Sequence, residues 1–486
     1  MKGIDAMPKA TYKIPQLCNF IDGAFEASEG RGVSLVNPSD QSRLGEQQGS
    51  SPAALERALA AAARCHRRSD WYSLGARRAI YLLAIADAVE QHRDEFAYLD
   101  ALNTGVVITQ TQFLSRLLPF IFRGVAQQLL EHPDCQPINE RIEQWHKPWG
   151  PAVCLAPWNS PSPIGSHKLA AALAAGAPVI LKASEWTPYS AQRLFELIAS
   201  CDLPAGAVQL VHGAAAEGAQ LVADPRVKAV SFTGGYRGGQ AVAAACLPQL
   251  KPLQLELGGH NPFIVLPDAD ENQVGRGLLE GMTRLNGQWC RAIGRIFLPR
   301  ARAEAITGDL LERLARLKIG SALDATSELG PLIHHQHKNH IEHVLLDLEA
   351  RGARVQRAHR LEDIPQEGAY FGPTLVSSLS PNEDREEIFG PVAVVHSYDH
   401  LDEVEDWVQA SPYGLAAYVY GRDEASCYSL ARRLEVGSTK INGVSITSLS
   451  PKAPRSAWGI SGLGEEGDFE SFRFFQGSTL IGTLNS

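Results

Sequence analysis

From about residue 150 the chain alternates short apolar runs with alanine-rich helical stretches, and few folds accept that texture. The runs Ala152–Leu155, Val179–Lys182, Val208–Val211 and Ala229–Phe232 alternate with helical patterns near 165–176, 190–200, 215–223 and 237–246. Alternation at this spacing predicts a parallel sheet covered by helices on both faces. A similar alternation restarts at Pro262–Leu266, with later strands at 372–376 and 390–395, so a second α/β domain is expected from about 259 to 456. A chain of 486 residues exceeds what one core usually holds.

Upstream, 49–66 reads as a helix, with Ser51 able to cap it and Pro52 suited to its first turn. A second long helical pattern covers roughly 74–98. Residues 133–147 and the tail Phe472–Leu484 have an extended, alternating texture, as edge strands in need of a partner would.

Several function classes fall away on composition. No apolar run of about 18 residues is present, so no membrane span is expected. The start, Met1-Lys2-Gly3-Ile4-Asp5, lacks the apolar core of a secretory signal. The eight cysteines (18, 65, 135, 154, 201, 246, 290, 427) are scattered without a Cys-x-x-Cys pair, which argues for a reduced cytoplasmic chain with no metal site. A dispersed net charge of −9 makes nucleic acid an unsuitable partner.

Two residues stand in unusual glycine-flanked contexts. Cys290 lies in Asn286-Gly-Gln-Trp-Cys-Arg-Ala-Ile-Gly-Arg295, and Glu256 opens Glu-Leu-Gly-Gly-His-Asn-Pro. A thiol attacks as thiolate, and the thioester it forms needs a base to activate water. Taken singly, a cysteine is usually a small buried hydrophobe and a buried glutamate is usually ion-paired. Together they point to covalent catalysis on a carbonyl.

Six segments in one order give these residues a wider context. They are Ala156-Pro-Trp-Asn159, Lys182-Ala-Ser-Glu-Trp-Thr-Pro188, Phe232-Thr-Gly-Gly235, Glu256-Leu-Gly-Gly259, Gly287-Gln-Trp-Cys290 and Glu387-Ile-Phe-Gly-Pro-Val392. Through them the chain resembles the aldehyde dehydrogenase superfamily over nearly its whole length. The resemblance implies an α/β fold with two Rossmann-like parallel-sheet domains and a small β oligomerisation arm. The cofactor domain would comprise 1–124 and 148–258, the catalytic domain 259–456, and the bridging segments 125–147 and 457–486. By the same resemblance the arm pairs with another subunit, giving a homodimer or homotetramer.

It also implies roles. Cys290 would attack an aldehyde to form a thiohemiacetal, its oxyanion held by the Asn159 amide and the Cys290 N–H. Glu256 would activate the water that hydrolyses the thioester. Trp158, Lys182, Ser184, Glu185, Phe232, Thr233, Gly234, Gly235, Gly239, Leu257, Glu387 and Phe389 would hold the dinucleotide. A Rossmann Gly-x-Gly-x-x-Gly is absent at the expected strand-to-helix turn, where the resemblance places Gly234 to Gly239 instead. Gly235 stands where relatives often carry a serine that touches pyrophosphate. Glu185 can accept from a ribose 2′-hydroxyl and would repel a 2′-phosphate, which favours NAD, with NADP possible.

Departures from the family pattern bear on the substrate. Arg455 and Arg284 replace aromatic positions of the aldehyde pocket, Arg291 follows the nucleophile, and Ser160, His167 and Trp289 occupy further expected pocket positions. Guanidinium in an apolar wall needs an anionic ligand or a neighbouring carboxylate. The expected substrate is therefore a carboxylate-bearing aldehyde, a semialdehyde. The alternatives are an uncharged aromatic or aliphatic aldehyde, with the arginines facing solvent or paired to Glu465, Glu466 or Asp468; transfer to coenzyme A, against which Glu256 argues; and a catalytically silent homologue with a structural or binding role.

Overall fold

A computed structural model of the chain describes residues 12–384, 386–447, 449–450 and 453–483. The sequence expectations for Met1–Asp5 and for the last residue of the tail, Leu484, fall outside these. The strands Val208–Val211, Val179–Lys182, Ala152–Leu155, Ala229–Thr233 and Leu253–Glu256 lie side by side in that order, all parallel. Asn19–Ile21 and Gly462–Leu463 extend the two flanks antiparallel. Alternate residues of each strand enter different cores. Ala152, Cys154, Val179 and Leu181 pack into one, while Val153, Leu155 and Ile180 pack into the other. The helix Pro161–Ala175 is buried almost throughout, and its run of alanines lets it pass close beneath the sheet.

The first strand of this parallel set in the chain, Ala152–Leu155, is central. Successive strands build outwards on one side, then the chain crosses back to place Ala229–Thr233 on the other. Such a reversal opens a crevice beyond the carboxyl ends of the two strands, where α/β sheets bind ligands.

A second sheet has the order Arg354–Arg357, Thr374–Ser377, Val392–Tyr398, Ile293–Pro299, Asn261–Val265, Ala417–Tyr420 and Thr439–Ile441. Only its Arg354–Arg357 edge is antiparallel. A separate three-stranded sheet joins Gln476–Gly482 to Ile142–Pro148 and Cys135–Asn139. The architecture is α/β, with two Rossmann-like sheets and a small β arm.

Three local expectations change. The helical pattern over 74–98 is two helices, Arg77–Gln91 and Arg93–Thr104, because His92 leaves helical geometry and its ring bonds the Ala88 carbonyl at 2.8 Å. The tail is not extended from Phe472. The helix Asp468–Phe474 carries Phe472 into the first core, and the strand starts at Gln476. The bridging segment expected from 125 overlaps the helix Leu118–Glu131, whose Val125, Ala126 and Leu129 are buried in the first core. The helix at Pro52–Arg68 starts as expected, with the Ser51 hydroxyl accepting from the Ala54 N–H at 3.3 Å.

Candidate active site

The crevice at the strand reversal is part of a cleft of about 610 Å³. Ala156 to Asn159 enter it from the end of one strand and Phe232 to Gly235 from the next. Glu256 ends a third strand of the same sheet. The second sheet presents the amino ends of its strands to the cleft. Cys290 precedes the strand Ile293–Pro299, and Glu387 and Phe389 precede Val392–Tyr398. Residues remote in the chain therefore share one cavity because carboxyl ends of first-sheet strands and amino ends of second-sheet strands both open onto it.

The backbone leading to Cys290 is held in a left-handed turn. Leu285, Asn286 and Gly287 have φ of 48°, 57° and 75°. Glycine is required at 287, where a Cβ would lie 2.3 Å from the Pro391 nitrogen. The Asn286 amide offsets the strain in its own backbone. It donates to the Gly105 and Pro331 carbonyls at 2.8 and 2.9 Å and accepts from the Gly330 N–H at 2.9 Å. On the other side of Cys290, Asn261 donates to the carbonyls of Cys290 and Ala292 at 2.9 and 2.7 Å. Asn159, which lines the cleft with Cys290, donates to the Gln288 carbonyl at 2.8 Å, leaving its second N–H for another acceptor.

Electrostatics separates the titratable groups. Burial pushes the Cys290 thiol up to about 11, with Arg291 opposing and Glu256 adding to the rise. Cys290 thus rests as a thiol. Burial and then the Glu466 charge raise Glu256 to about 7, against the pull of Arg291, Arg455 and Lys168. Glu466 is also buried, yet Lys168, His167 and Arg455 bring it down to about 2. Its carboxylate accepts from Lys168 at 3.0 Å and Arg455 at 3.3 Å. Two neighbouring carboxyls are driven apart, one keeping its charge and one poised to exchange a proton near neutrality.

At the other end, Lys182, Ser184 and Glu185 line the cleft. Lys182 Nζ donates to the Ala183 carbonyl at 3.1 Å and lies 3.9 Å from Glu185. Trp158, Phe232, Thr233, Gly234, Gly235 and Leu257 line the middle. Gly239 lies outside the lining, where its missing Cβ makes room for Leu257, and Gly238 lines the cleft instead. Glu387 accepts from the Gly259 N–H at 3.0 Å, and burial raises it to about 7. A Cβ at 258 would sit 1.9 Å from the Glu387 carboxylate, so any larger residue there would displace that side chain from its place beside Gly259.

None of the six expected substrate residues lines this cleft. His167 and Arg455 come together 3.3 Å apart, beside Glu466, and His167 also meets Ser471 at 2.9 Å. Burial lowers His167 to about 4, so its ring is neutral. Arg291 donates to Ser438 at 2.9 Å. Arg284 turns back on Glu280 at 2.7 Å, and Trp289 is buried against Val106, Leu114 and Leu285. Ser160 is buried at the start of the helix Pro161–Ala175.

His337 and His340 also line the cleft, and nothing in the local sequence singled them out. His337 bonds the Phe389 carbonyl at 2.6 Å and packs with Trp158 and Phe389 as an aromatic wall. Lys168 was likewise hidden in an alanine-rich helix. Among the described residues no helix is long and apolar enough to cross a membrane.

Residues 25–480 match the Aldehyde dehydrogenase family. The chain is 32% identical over 461 residues to betaine aldehyde dehydrogenase 2 of Rhizobium meliloti, covering 93% of this chain and 94% of the relative. It is 35% identical over 418 residues to a non-phosphorylating aspartate-semialdehyde dehydrogenase of Halomonas elongata, covering 85% and 81%. It is 32% identical over 459 residues to a glutarate-semialdehyde dehydrogenase of Pseudomonas aeruginosa, covering 92% and 93%. The fold superposes on the crystal structure of Staphylococcus aureus betaine aldehyde dehydrogenase in complex with NAD+ with a TM-score of 0.91, at 29% identity over 96% of this chain and 95% of that one.

Proposed function

The chain belongs to the aldehyde dehydrogenase family, and from that premise we propose that it oxidises a carboxylate-bearing aldehyde to the acid with NAD. The observation that carries this reading is the convergence of Cys290, Glu256 and Asn159 with Glu387 and Phe389 in one cleft at a strand reversal. The cleft suits a dinucleotide. The helix Tyr236–Cys246 opens onto it with no side chain capping its N–H groups, and the Thr233 hydroxyl is buried without a partner. Lys182, Ser184 and Glu185 would take the adenosine end, the helix start the phosphates, and Glu387 with Phe389 the nicotinamide end. Glu185 disfavours a 2′-phosphate. When bound, NAD supplies the hydride acceptor.

The protein's residues do the rest. Glu256, as carboxylate, takes the Cys290 proton while sulfur bonds the aldehyde carbon, and the Asn159 amide and Cys290 N–H stabilise the oxyanion. Loss of hydride from that carbon leaves a thioester on Cys290. Glu256 releases that first proton to solvent and then takes one from water, whose oxygen bonds the acyl carbon; as the carbon–sulfur bond breaks, this proton passes to the leaving thiolate. The acid leaves and the thiol is restored.

Charge balance supports the substrate class. Lys168, Arg291 and Arg455 bear on Glu256 against Glu466, so positive charge is in excess at that carboxyl. A quaternary ammonium substrate would need an aromatic cage in their place. Arg455, 31% exposed at its side chain, is the best carrier of the carboxylate contact. One observation favours an uncharged aldehyde instead: Glu466 already bonds Arg455, and Glu280 bonds Arg284. Turnover of succinic semialdehyde, betaine aldehyde, benzaldehyde and hexanal with NAD and NADP decides between them. Preference for the semialdehyde, lost in Arg455→Leu, is expected; preference for uncharged aldehydes, unchanged in that variant, would refute the reading. We also infer a homo-oligomer, supported by Leu480 and Ile481 standing exposed on the arm strand Gln476–Gly482.

A further inference from the structure

Asp384 never reaches the cleft, yet it sits three residues before Glu387, on the connection between Thr374–Ser377 and Val392–Tyr398. Its two oxygens accept from His260 Nε2 at 2.8 Å and His396 Nε2 at 3.0 Å. All three side chains are buried, with residue exposures of 6%, 2% and 3%. Burial works to raise this carboxyl, but the two histidines outweigh it and hold it well below the usual range. Arg295, buried alongside, donates to the carbonyls of His260 at 3.4 Å and Trp407 at 3.0 Å, and the Asp384 charge favours its protonated form. His260 stands at the entry to one strand, while Arg295 and His396 lie on two others. A Cβ at Gly294 would lie 2.3 Å from His260 Nδ1, so the backbone also leaves room for this imidazole.

Desolvating such a network costs more than apolar packing of the same volume, so its return is geometrical. What it fixes is visible on both sides. His260 directly follows Gly259, whose N–H holds the Glu387 carboxylate. Past Glu387, His337 holds the Phe389 carbonyl. The Glu387–Phe389 segment is clamped before and behind.

We propose that Asp384, through His260 and His396, is a positioning residue that holds Glu387 and Phe389 against the nicotinamide end of the cleft. NAD affinity then depends on a carboxylate that never touches NAD. The inference rests on the reading of Glu387 and Phe389 as cofactor residues.

The test uses the full-length enzyme with Asp384→Ala, Asp384→Asn, His396→Gln and Glu387→Gln. KM for NAD and kcat are measured beside NAD-independent hydrolysis of p-nitrophenyl acetate, which needs a thiol nucleophile and a water-activating base but no hydride acceptor. Asp384→Ala is expected to raise KM for NAD about tenfold or more while ester hydrolysis stays within about twofold. Asp384→Asn keeps one acceptor oxygen and the side-chain volume, and is expected to raise KM about threefold, as is His396→Gln. If Asp384→Ala is insoluble, these two carry the test. Unchanged KM in them, or ester hydrolysis falling in parallel with dehydrogenase turnover, overturns the proposal. Should Glu387→Gln also leave KM unchanged, the cofactor reading itself fails; a raised KM in Glu387→Gln with none in the Asp384 and His396 variants overturns the positioning role alone.

Discussion

Gly235→Ser is expected to tighten NAD binding about fivefold, and the structure supplies the terms. Gly235 has φ −76° and ψ 157°, which any residue adopts, and a Cβ there meets nothing within 4 Å. It is the N-cap of the helix Tyr236–Cys246, which has no capping side chain and no acidic residue in its first turn. Serine at an N-cap exceeds glycine by only a few tenths of a kcal/mol, so folding stability hardly changes. A hydroxyl donating to a phosphate oxygen contributes about 1.5–3 kcal/mol as a bond to a charged group. Fixing the side chain costs roughly 0.5–1.5 kcal/mol. The remainder, about 1 kcal/mol, corresponds to about a fivefold lower Kd. Calorimetric titration with NAD reads it directly, with Gly235→Ala as the control that adds the Cβ without the hydroxyl. The Ala variant should match the parent in Kd and in Tm without ligand. Equal affinities for the Ser and Ala variants, or weaker binding by Ser, would show that the pyrophosphate does not pass this turn.

Glu256 acts as a base only when ionised, so turnover should rise with pH through about 7 and fall about tenfold for each unit below. In Glu466→Gln a like charge is lost while Arg291, Arg455 and Lys168 remain, and the acid limb should move to lower pH in the rate profile. Glu256→Gln should lower both the single-turnover NADH burst and steady-state turnover by about 10²–10⁴; a burst at full rate would confine Glu256 to hydrolysis of the thioester. Asn159→Ala should lower kcat/KM for the aldehyde by about 10²–10³ with the Kd for NAD unchanged. A loss under about threefold there would place the oxyanion elsewhere.

The parallel sheets were legible in the sequence because strands buried on both faces must be apolar and their crossovers must be helical. Cys290 and Glu256 were legible through their glycine-flanked segments, and Asn159 only through the family resemblance; the structure brings the three to one cleft. The pairing of Arg284 with Glu280, one helical turn away, was within reach of a pattern reading. By contrast, the hinge at His92 depends on a ring turning back on a carbonyl, and Trp289 is in the core because Val106, on the connection after the helix Arg93–Thr104, and Leu114, on the helix Ile108–Ser115, pack against it.

Sequence by itself determined the kinds of layer this chain builds and the chemical groups it carries, since periodicity and backbone permissiveness act over a few residues. Only the tertiary structure decided which groups meet. Glu466 reaches Lys168 across 298 positions, His260 reaches Asp384 across 124, and Asn159 reaches the Gln288 carbonyl across 129. Those encounters follow from strand order and from the ends of strands in both sheets opening onto one cleft, and burial there is what moves Glu256 and Cys290 away from their ordinary proton affinities.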